Sequence, residues 1–204
     1  MHLDLQSRME KIADGLAERS YAISADFLSP DEVNDILHTD EFKNSKLHFK
    51  KAGIGRQQEK QIVETIRGDY IQWVDPNSVP KSIKIYFERL SELIRFLNRN
   101  LFLSLQDAEV HLTRYPIGTF YKKHIDQFQQ DDHRKLSVIC YLNPGWKETD
   151  GGQLRMHLKD GPVDVFPEAG KLVCFRSEII EHEVLPATRE RYSLTGWLRD
   201  SIQT

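Results

Sequence analysis

Arg191-Tyr192-Ser193-Leu194-Thr195-Gly196-Trp197-Leu198 decides the fold class. On an extended chain successive side chains leave from opposite faces. One face of this stretch therefore carries Arg191, Ser193, Thr195 and Trp197, and the other carries Tyr192, Leu194 and Leu198. The second face suits a core; a guanidinium followed by two hydroxyls does not. Upstream, Ala108–Arg114, Phe120–His124, Leu136–Leu142, Gln153–His157, Val163–Phe166, Leu172–Phe175 and His182–Leu185 either alternate in the same way or run apolar. Turn signals separate most of them, among them Tyr115-Pro116-Ile117-Gly118, Asn143-Pro144-Gly145 and Asp150-Gly151-Gly152. Eight short strands at this spacing predict an antiparallel sandwich or barrel, because the intervals are too short for crossover helices.

The first half has a different period. Leu5, Met9, Ile12 and Leu16 form a helical stripe. Ser29-Pro30-Asp31-Glu32 reads as a helix start, with a capping serine, proline at the first position and a glutamate placed to close a capping box. A third helix follows Pro80, with Tyr86, Leu90, Leu93, Ile94 and Leu97 on one side. Phe42–Trp73 reads as a loop and strands at the entrance. Residues 1–100 are thus a helical support region within the same domain, and 101–204 the β core.

Composition removes several classes. Lys+Arg is 28 against 31 Asp+Glu, a net charge of −3, which is wrong for a dedicated nucleic-acid binder. No apolar run approaches the roughly 18 residues of a spanning helix, and Met1–Ser20 lacks the apolar centre of a signal peptide. Cys140 and Cys174, each in an apolar strand, offer neither a disulfide scaffold nor a four-cysteine metal site. A cytoplasmic chain with no membrane or nucleic-acid partner is the expectation.

The chemistry starts at His124-Ile125-Asp126. On a strand, positions i and i+2 share a face, so an imidazole and a carboxylate project together and can chelate a metal. His182, opening another short strand, is the best third ligand. Two histidines and one carboxylate leave about three coordination positions open, the donor set of non-haem Fe(II) oxygenases. Zinc is the nearest competitor. The Arg191 face makes sense as the lining of a pocket that holds a carboxylate through a bidentate fork; Arg189 competes for that role.

These residues, together with Tyr115–Asp126, Tyr141-Leu142-Asn143, Gly151–Arg155, His182-Glu183-Val184 and the Ile66-Arg67-Gly68-Asp69 stretch, resemble the 2-oxoglutarate/Fe(II)-dependent prolyl hydroxylases. The likeness is to the hypoxia-inducible-factor prolyl hydroxylases and their bacterial relatives, over about residues 50–200. It implies a mainly β fold with supporting α-helices, a double-stranded β-helix of the jelly-roll, cupin-like kind. It also implies hydroxylation of proline in a protein or peptide substrate, with 2-oxoglutarate and O2 as co-substrates, succinate and CO2 as products, and ascorbate keeping the iron reduced. By the same resemblance His124, Asp126 and His182 match the iron ligands. Arg191 and Tyr141 match the partners of the distal carboxylate of 2-oxoglutarate, and Tyr115 a tyrosine beside it. Thr195, Leu154, Tyr121, Val184 and Trp197 match pocket-wall positions. Phe120 and Lys122 depart from the animal relatives, which carry glycine and an apolar residue there.

A basic segment, with Lys46, Lys50, Lys51 and Arg56 among Phe42, Leu47 and Phe49, falls where the family has its mobile substrate-covering loop. A lid over a peptide and a solvated surface loop both remain open readings. The same cofactor chemistry on a small molecule or a non-prolyl residue is the alternative function, and a zinc-containing interaction barrel a distant third. A monomer or weak dimer is expected.

Overall fold

The computed structural model describes residues 5–53, 65–127 and 133–200. In chain order the elements are α1 (Leu5–Arg19), β1 (Tyr21–Ser24), α2 (Pro30–Leu37), α3 (Asp40–Lys43), α4 (Ser45–His48), β2 (Lys50–Lys51), β3 (Tyr70–Trp73) and α5 (Lys81–Leu101). They continue with β4 (Asp107–Tyr115), β5 (Tyr121–His124), β6 (Arg134–Tyr141), β7 (Leu154–Leu158), β8 (Gly161–Val165), β9 (Leu172–Arg176), β10 (Glu181–Val184) and β11 (Arg191–Arg199).

Helices α1, α2 and α5 form where the apolar stripes and the capping box predict them, whereas α3 and α4, single turns too short to carry a stripe, stand at the start of the 42–73 stretch that the sequence reads as loop and strands. Met9, Ile12 and Leu16 are buried on α1, and Ile83, Tyr86, Leu90, Leu93 and Leu97 on α5. At the start of α2 the Ser29 N–H donates to Glu32 Oε2 (2.7 Å) and the Glu32 N–H to Ser29 Oγ (3.3 Å), which satisfies two amides that have no partner inside the helix.

All eight strands expected in the second half are present. They form two antiparallel sheets, one ordered β1-β9-β6-β11-β4-β3-β2 and the other β5-β10-β7-β8. This is the mainly β, helix-supported architecture that the sequence predicts. The first half also builds sheet: β1 pairs with β9 at one edge of the large sheet, and β3 and β2 follow β4 at the other. These segments are only two to four residues long, too short to show a period of their own.

The large sheet has two different interiors. Its outer face, with Leu112, Leu194, Leu198, Cys140 and Cys174, packs on the helices. Its inner face meets the small sheet, where Tyr115, Ile139, Tyr141 and Phe175 lie against Leu154, Met156 and Val184. The short stretch before β3 protects the far edge of β5: the Gly68 N–H donates to the Phe120 carbonyl and the Lys122 N–H to the Ile66 carbonyl.

Candidate metal centre and co-substrate pocket

β5 and β10 are neighbours in the small sheet, and their register sets His124 opposite His182. Asp126 follows β5, so the i, i+2 pair and the distant histidine converge. One donor atom from each of His124, Asp126 and His182 lies within 4.8 Å of the other two. His124 Nε2 is 3.3 Å and His182 Nε2 3.8 Å from Asp126 Oδ1.

The surroundings aim these atoms. His124 Nδ1 lies 2.7 Å from the Lys122 carbonyl and His182 Nδ1 3.0 Å from the Ile180 carbonyl. A carbonyl only accepts, so each Nδ1 carries a proton and each Nε2 is the nitrogen turned inward, the one a metal would take. Asp126 Oδ2 accepts from Ser137 Oγ (2.6 Å), itself 2.9 Å from Ser177 Oγ, which leaves Oδ1 free to face the centre. Burial works to raise the Asp126 pKa, but His182, His124 and the Ser137 hydroxyl outweigh it and hold the carboxyl well below the usual range. Burial lowers the His182 imidazole, against the pull of Asp126. The result is two imidazole nitrogens and one anionic oxygen converging on one point, a set that fits a divalent transition metal, which would displace the protons from the two inward nitrogens on binding. Glu183 turns to the other face, where its carboxylate meets His157 at 3.1 Å.

Beside the donors, Tyr121 stacks on His124 with centroids 3.6 Å apart. The Arg67 guanidinium lies 4.4 Å over the Tyr121 ring and donates twice to buried Asp69, at 2.7 and 2.6 Å. Arg67 and Asp69, which support a ring touching the centre, fall within the stretch of family likeness, but no local pattern in the sequence marks their role. Ser137 is the other functional residue that sequence reasoning does not single out. Its signal was a hydroxyl at odd parity in the apolar run Leu136–Leu142, on the face it shares with Ile139 and Tyr141.

Arg191 lies on the inner face, 3% exposed, its guanidinium 4.3 Å from the Tyr115 centroid and 5.7 Å from that of Tyr141. Nη1 donates to the Gly152 carbonyl. Gly152 adopts φ +72°, and a Cβ there would stand 2.8 Å from the Ala187 Cβ, so the turn that presents this carbonyl needs glycine. Arg191 Nε and the Tyr141 hydroxyl are both buried without a partner among the described residues. Burial pushes the Tyr141 phenol up to about 12, with Arg191 pulling the other way, so the hydroxyl stays protonated as a donor. Two unspent buried donors beside one cation fit an incoming carboxylate. Arg189 is occupied elsewhere: it bonds the Gly145 carbonyl and Asp150 and lies 4.9 Å over Trp146.

Leu154, Val184 and Tyr115 wall the space between the sheets. Thr195 Oγ1 lies 3.0 Å from Ser193 Oγ on the inner face. Trp197 packs against His111 (5.7 Å) and Trp73 (6.2 Å), under the Arg134 guanidinium at 3.6 Å. His111, 3% exposed and 2.9 Å from the Thr113 hydroxyl, has its pKa pushed down to about 3 by burial and by Arg67.

The described lysines of the basic segment do not share one face. Lys50 pairs with Ile71 on the inner face, whereas Lys51 pairs with Tyr70 on the outer face and lies 6.0 Å over its ring. Neighbours on a strand must point to opposite faces. Lys46 lies near Glu190, which bonds Arg114 on the outer side of the sheet. Phe42 and Phe49, each 4% exposed, pin this segment to the core. Arg56 lies outside the described residues. Only Lys50 among the described three therefore shares the pocket's face.

Residues 110–199 match the 2OG-Fe(II) oxygenase superfamily. The chain is 42% identical to a Pseudomonas putida prolyl-4-hydroxylase of known crystal structure, with a TM-score of 0.85 over 95% of this chain and all of that one. It is 27% identical, with a TM-score of 0.86, to a Trichoplax adhaerens prolyl hydroxylase solved with a hypoxia-inducible-factor peptide fragment, over 96% of this chain and 90% of that one. It is also 27% identical to the Caenorhabditis elegans hypoxia-inducible factor prolyl hydroxylase over its full length, but spans only 30% of that relative.

Proposed function

The chain belongs to the 2OG-Fe(II) oxygenase superfamily, among its prolyl hydroxylases, and from that premise we propose that it hydroxylates a prolyl residue in a polypeptide, consuming 2-oxoglutarate and O2. The observation that carries this reading is the pairing, on one pocket, of a three-donor centre with two unspent donors at Arg191 and Tyr141. His124 Nε2, His182 Nε2 and Asp126 Oδ1 would hold Fe(II). Arg191 Nε and the Tyr141 hydroxyl would hold the distal carboxylate of 2-oxoglutarate, with Tyr115 and Thr195 flanking it. When bound, iron and 2-oxoglutarate supply the oxidising power that turns O2 into a hydroxyl on carbon, with succinate and CO2 released.

The chain's own work is positional. Ser137 fixes the Asp126 rotamer, and Tyr121, backed by Arg67 and Asp69, holds the His124 ring. Leu154 and Val184 keep water from the reacting centre. Ascorbate would serve as the supporting reductant. No described helix is long and apolar enough to cross a membrane. We place the protein in the cytoplasm as a monomer or weak dimer, a setting that suits its two unpaired, buried cysteines.

The test is mass spectrometry on proline-containing polypeptides incubated with the Fe(II)-loaded chain, 2-oxoglutarate and O2. One added oxygen on proline, matched by succinate, is the expected result. Hydroxylation of a free metabolite with no modification of any polypeptide would overturn it, and stoichiometric zinc that iron cannot displace would remove its premise.

A further inference from the structure

A groove of about 630 Å3 opens where β3 leaves the large sheet, between that edge and α5. β3 pairs with β4 only from Arg114 back to His111, while β4 runs on to Asp107. The Val74 N–H donates to the Val110 carbonyl at 3.2 Å. In an antiparallel ladder the main-chain groups of alternate residues face the same side. Ala108 is therefore the next residue whose N–H and C=O face this edge, and no strand among the described residues pairs with them there. Phe87 and Ile94 give the groove an apolar floor.

Two further observations say what fits. Arg199 already bonds Asp107 at 2.9 and 2.6 Å, whereas exposed Arg95 has no ion-pair or hydrogen-bond partner among the described residues. Trp73, 46% exposed, lines the groove and also packs on His111 and Trp197. Trp197 in turn is set opposite Ser137, the residue that bonds Asp126. Trp73 thus links the groove to the aromatic cluster of His111 and Trp197 on the inner face.

We propose that this groove takes an extended, acidic stretch of the polypeptide substrate, added as a strand to the free edge of β4. The main-chain pair at Ala108 demands an extended backbone, and Arg95 selects a carboxylate beside it. The inference rests on the hydroxylase reading, and it adds that the polypeptide is recognised well away from the residue that reacts.

The test uses two synthetic peptides with one central proline, flanked either by Asp/Glu or by Lys/Arg. The wild-type chain should show the lower KM for the acidic peptide. Arg95→Glu should raise that KM roughly three- to tenfold with kcat held, and Arg95→Lys should restore it. Independently of turnover, exchange of the Ala108 amide should slow when the acidic peptide is added without O2. Ala108→Pro, tolerable on an edge and checked by its melting curve, removes that donor and should raise the KM for the acidic peptide. A KM indifferent to Arg95 together with an unprotected Ala108 amide overturns the proposal. So does protection that 2-oxoglutarate alone or rising protein concentration produces, since a metabolite or a second copy then fills the groove. If wild type hydroxylates neither peptide, the hydroxylase reading fails, and the exchange measurement still decides the groove.

Discussion

The two faces of the large sheet are made by the same strands and do opposite work. On β11, Leu194 and Leu198 are fully buried against the helices, while Arg191, Ser193, Thr195 and Trp197 line the other side. The helix side has unsatisfied buried polar atoms too, but they are spread over separate elements: Arg8 Nε on α1, Glu41 Oε2 on α3, Gln72 Oε1 on β3 and the Tyr86 hydroxyl on α5. The inner face gathers Arg191 Nε, the Tyr141 hydroxyl and Trp197 Nε1, all buried without partners among the described residues. Such groups cost stability, on the order of 1–3 kcal/mol each, and what sets the inner pair apart is that Arg191 and Tyr141 stand together, 5.7 Å from guanidinium to ring, where one ligand would complete both. One face therefore stores stability and the other stores binding capacity, and the period of two keeps them apart.

The sharpest way to break that division is to damage each face separately. Asp126→Ala removes the charged donor, and Fe(II) affinity and turnover should fall by more than about a hundredfold, with the melting temperature of the metal-free chain moved only a few degrees. Leu194→Ala should do the reverse, costing about 2–5 kcal/mol through lost burial and a cavity while iron affinity below the melting temperature stays as in wild type. Denaturant melts and metal titration on both variants check this. If Leu194→Ala abolished iron binding in a chain that remained folded, the two faces would not be separable.

A smaller effect sharpens the point at the unsatisfied donors. Arg191→Lys keeps the charge but loses the planar fork, and 2-oxoglutarate affinity should drop ten- to a hundredfold, in line with about 1.5–3 kcal/mol for a charged hydrogen bond. Tyr141→Phe should weaken 2-oxoglutarate binding less, yet leave the ligand-free protein as stable as wild type or up to about 1 kcal/mol more so, because the deleted hydroxyl has no partner there. Anaerobic calorimetry beside urea melts reads both quantities. A large loss of stability in Tyr141→Phe would mean that the hydroxyl is structural.

This division also explains what the sequence made legible. Leu194 and Ser193 reveal their faces by alternation alone, and His124 with Asp126 reveal a shared face by spacing. Arg189 and Arg191 share a parity, so alternation could not separate them; the turn that ties Arg189 to Gly145 and Asp150 does. Ser137 and the Arg67–Asp69 pair act through tertiary contacts with residues distant in sequence, and no local pattern announces those. Lys50 and Lys51 read as one basic cluster when counted by charge, although strand geometry sets them on opposite faces.

The last expected effect comes from His111, a titratable group on the inner face that no metal or carboxylate needs. Burial, reinforced by Arg67, lowers its folded pKa to about 3, below the ordinary histidine value of 6.5. Between those values the unfolded chain binds a proton that the folded chain does not. Stability contributed by this group is therefore complete above about pH 6.5 and is lost as pH falls toward 3, at up to about 1.4 kcal/mol per pH unit. Carboxylates with lowered pKa, Asp126 among them, add a loss of the same sign, but theirs sets in below about pH 5. The window from pH 6.5 to 5 thus leaves the histidines, buried His182 among them, and the difference between variant and wild type isolates His111. His111→Leu should flatten the dependence of the urea midpoint on pH across that window, measured without metal or 2-oxoglutarate and corrected for the remaining histidines by the difference from wild type. If both proteins kept the same slope there, the His111 ring would be taking up its proton inside the folded chain, and the inner face would be wetter than its packing against Trp73 and Trp197 implies.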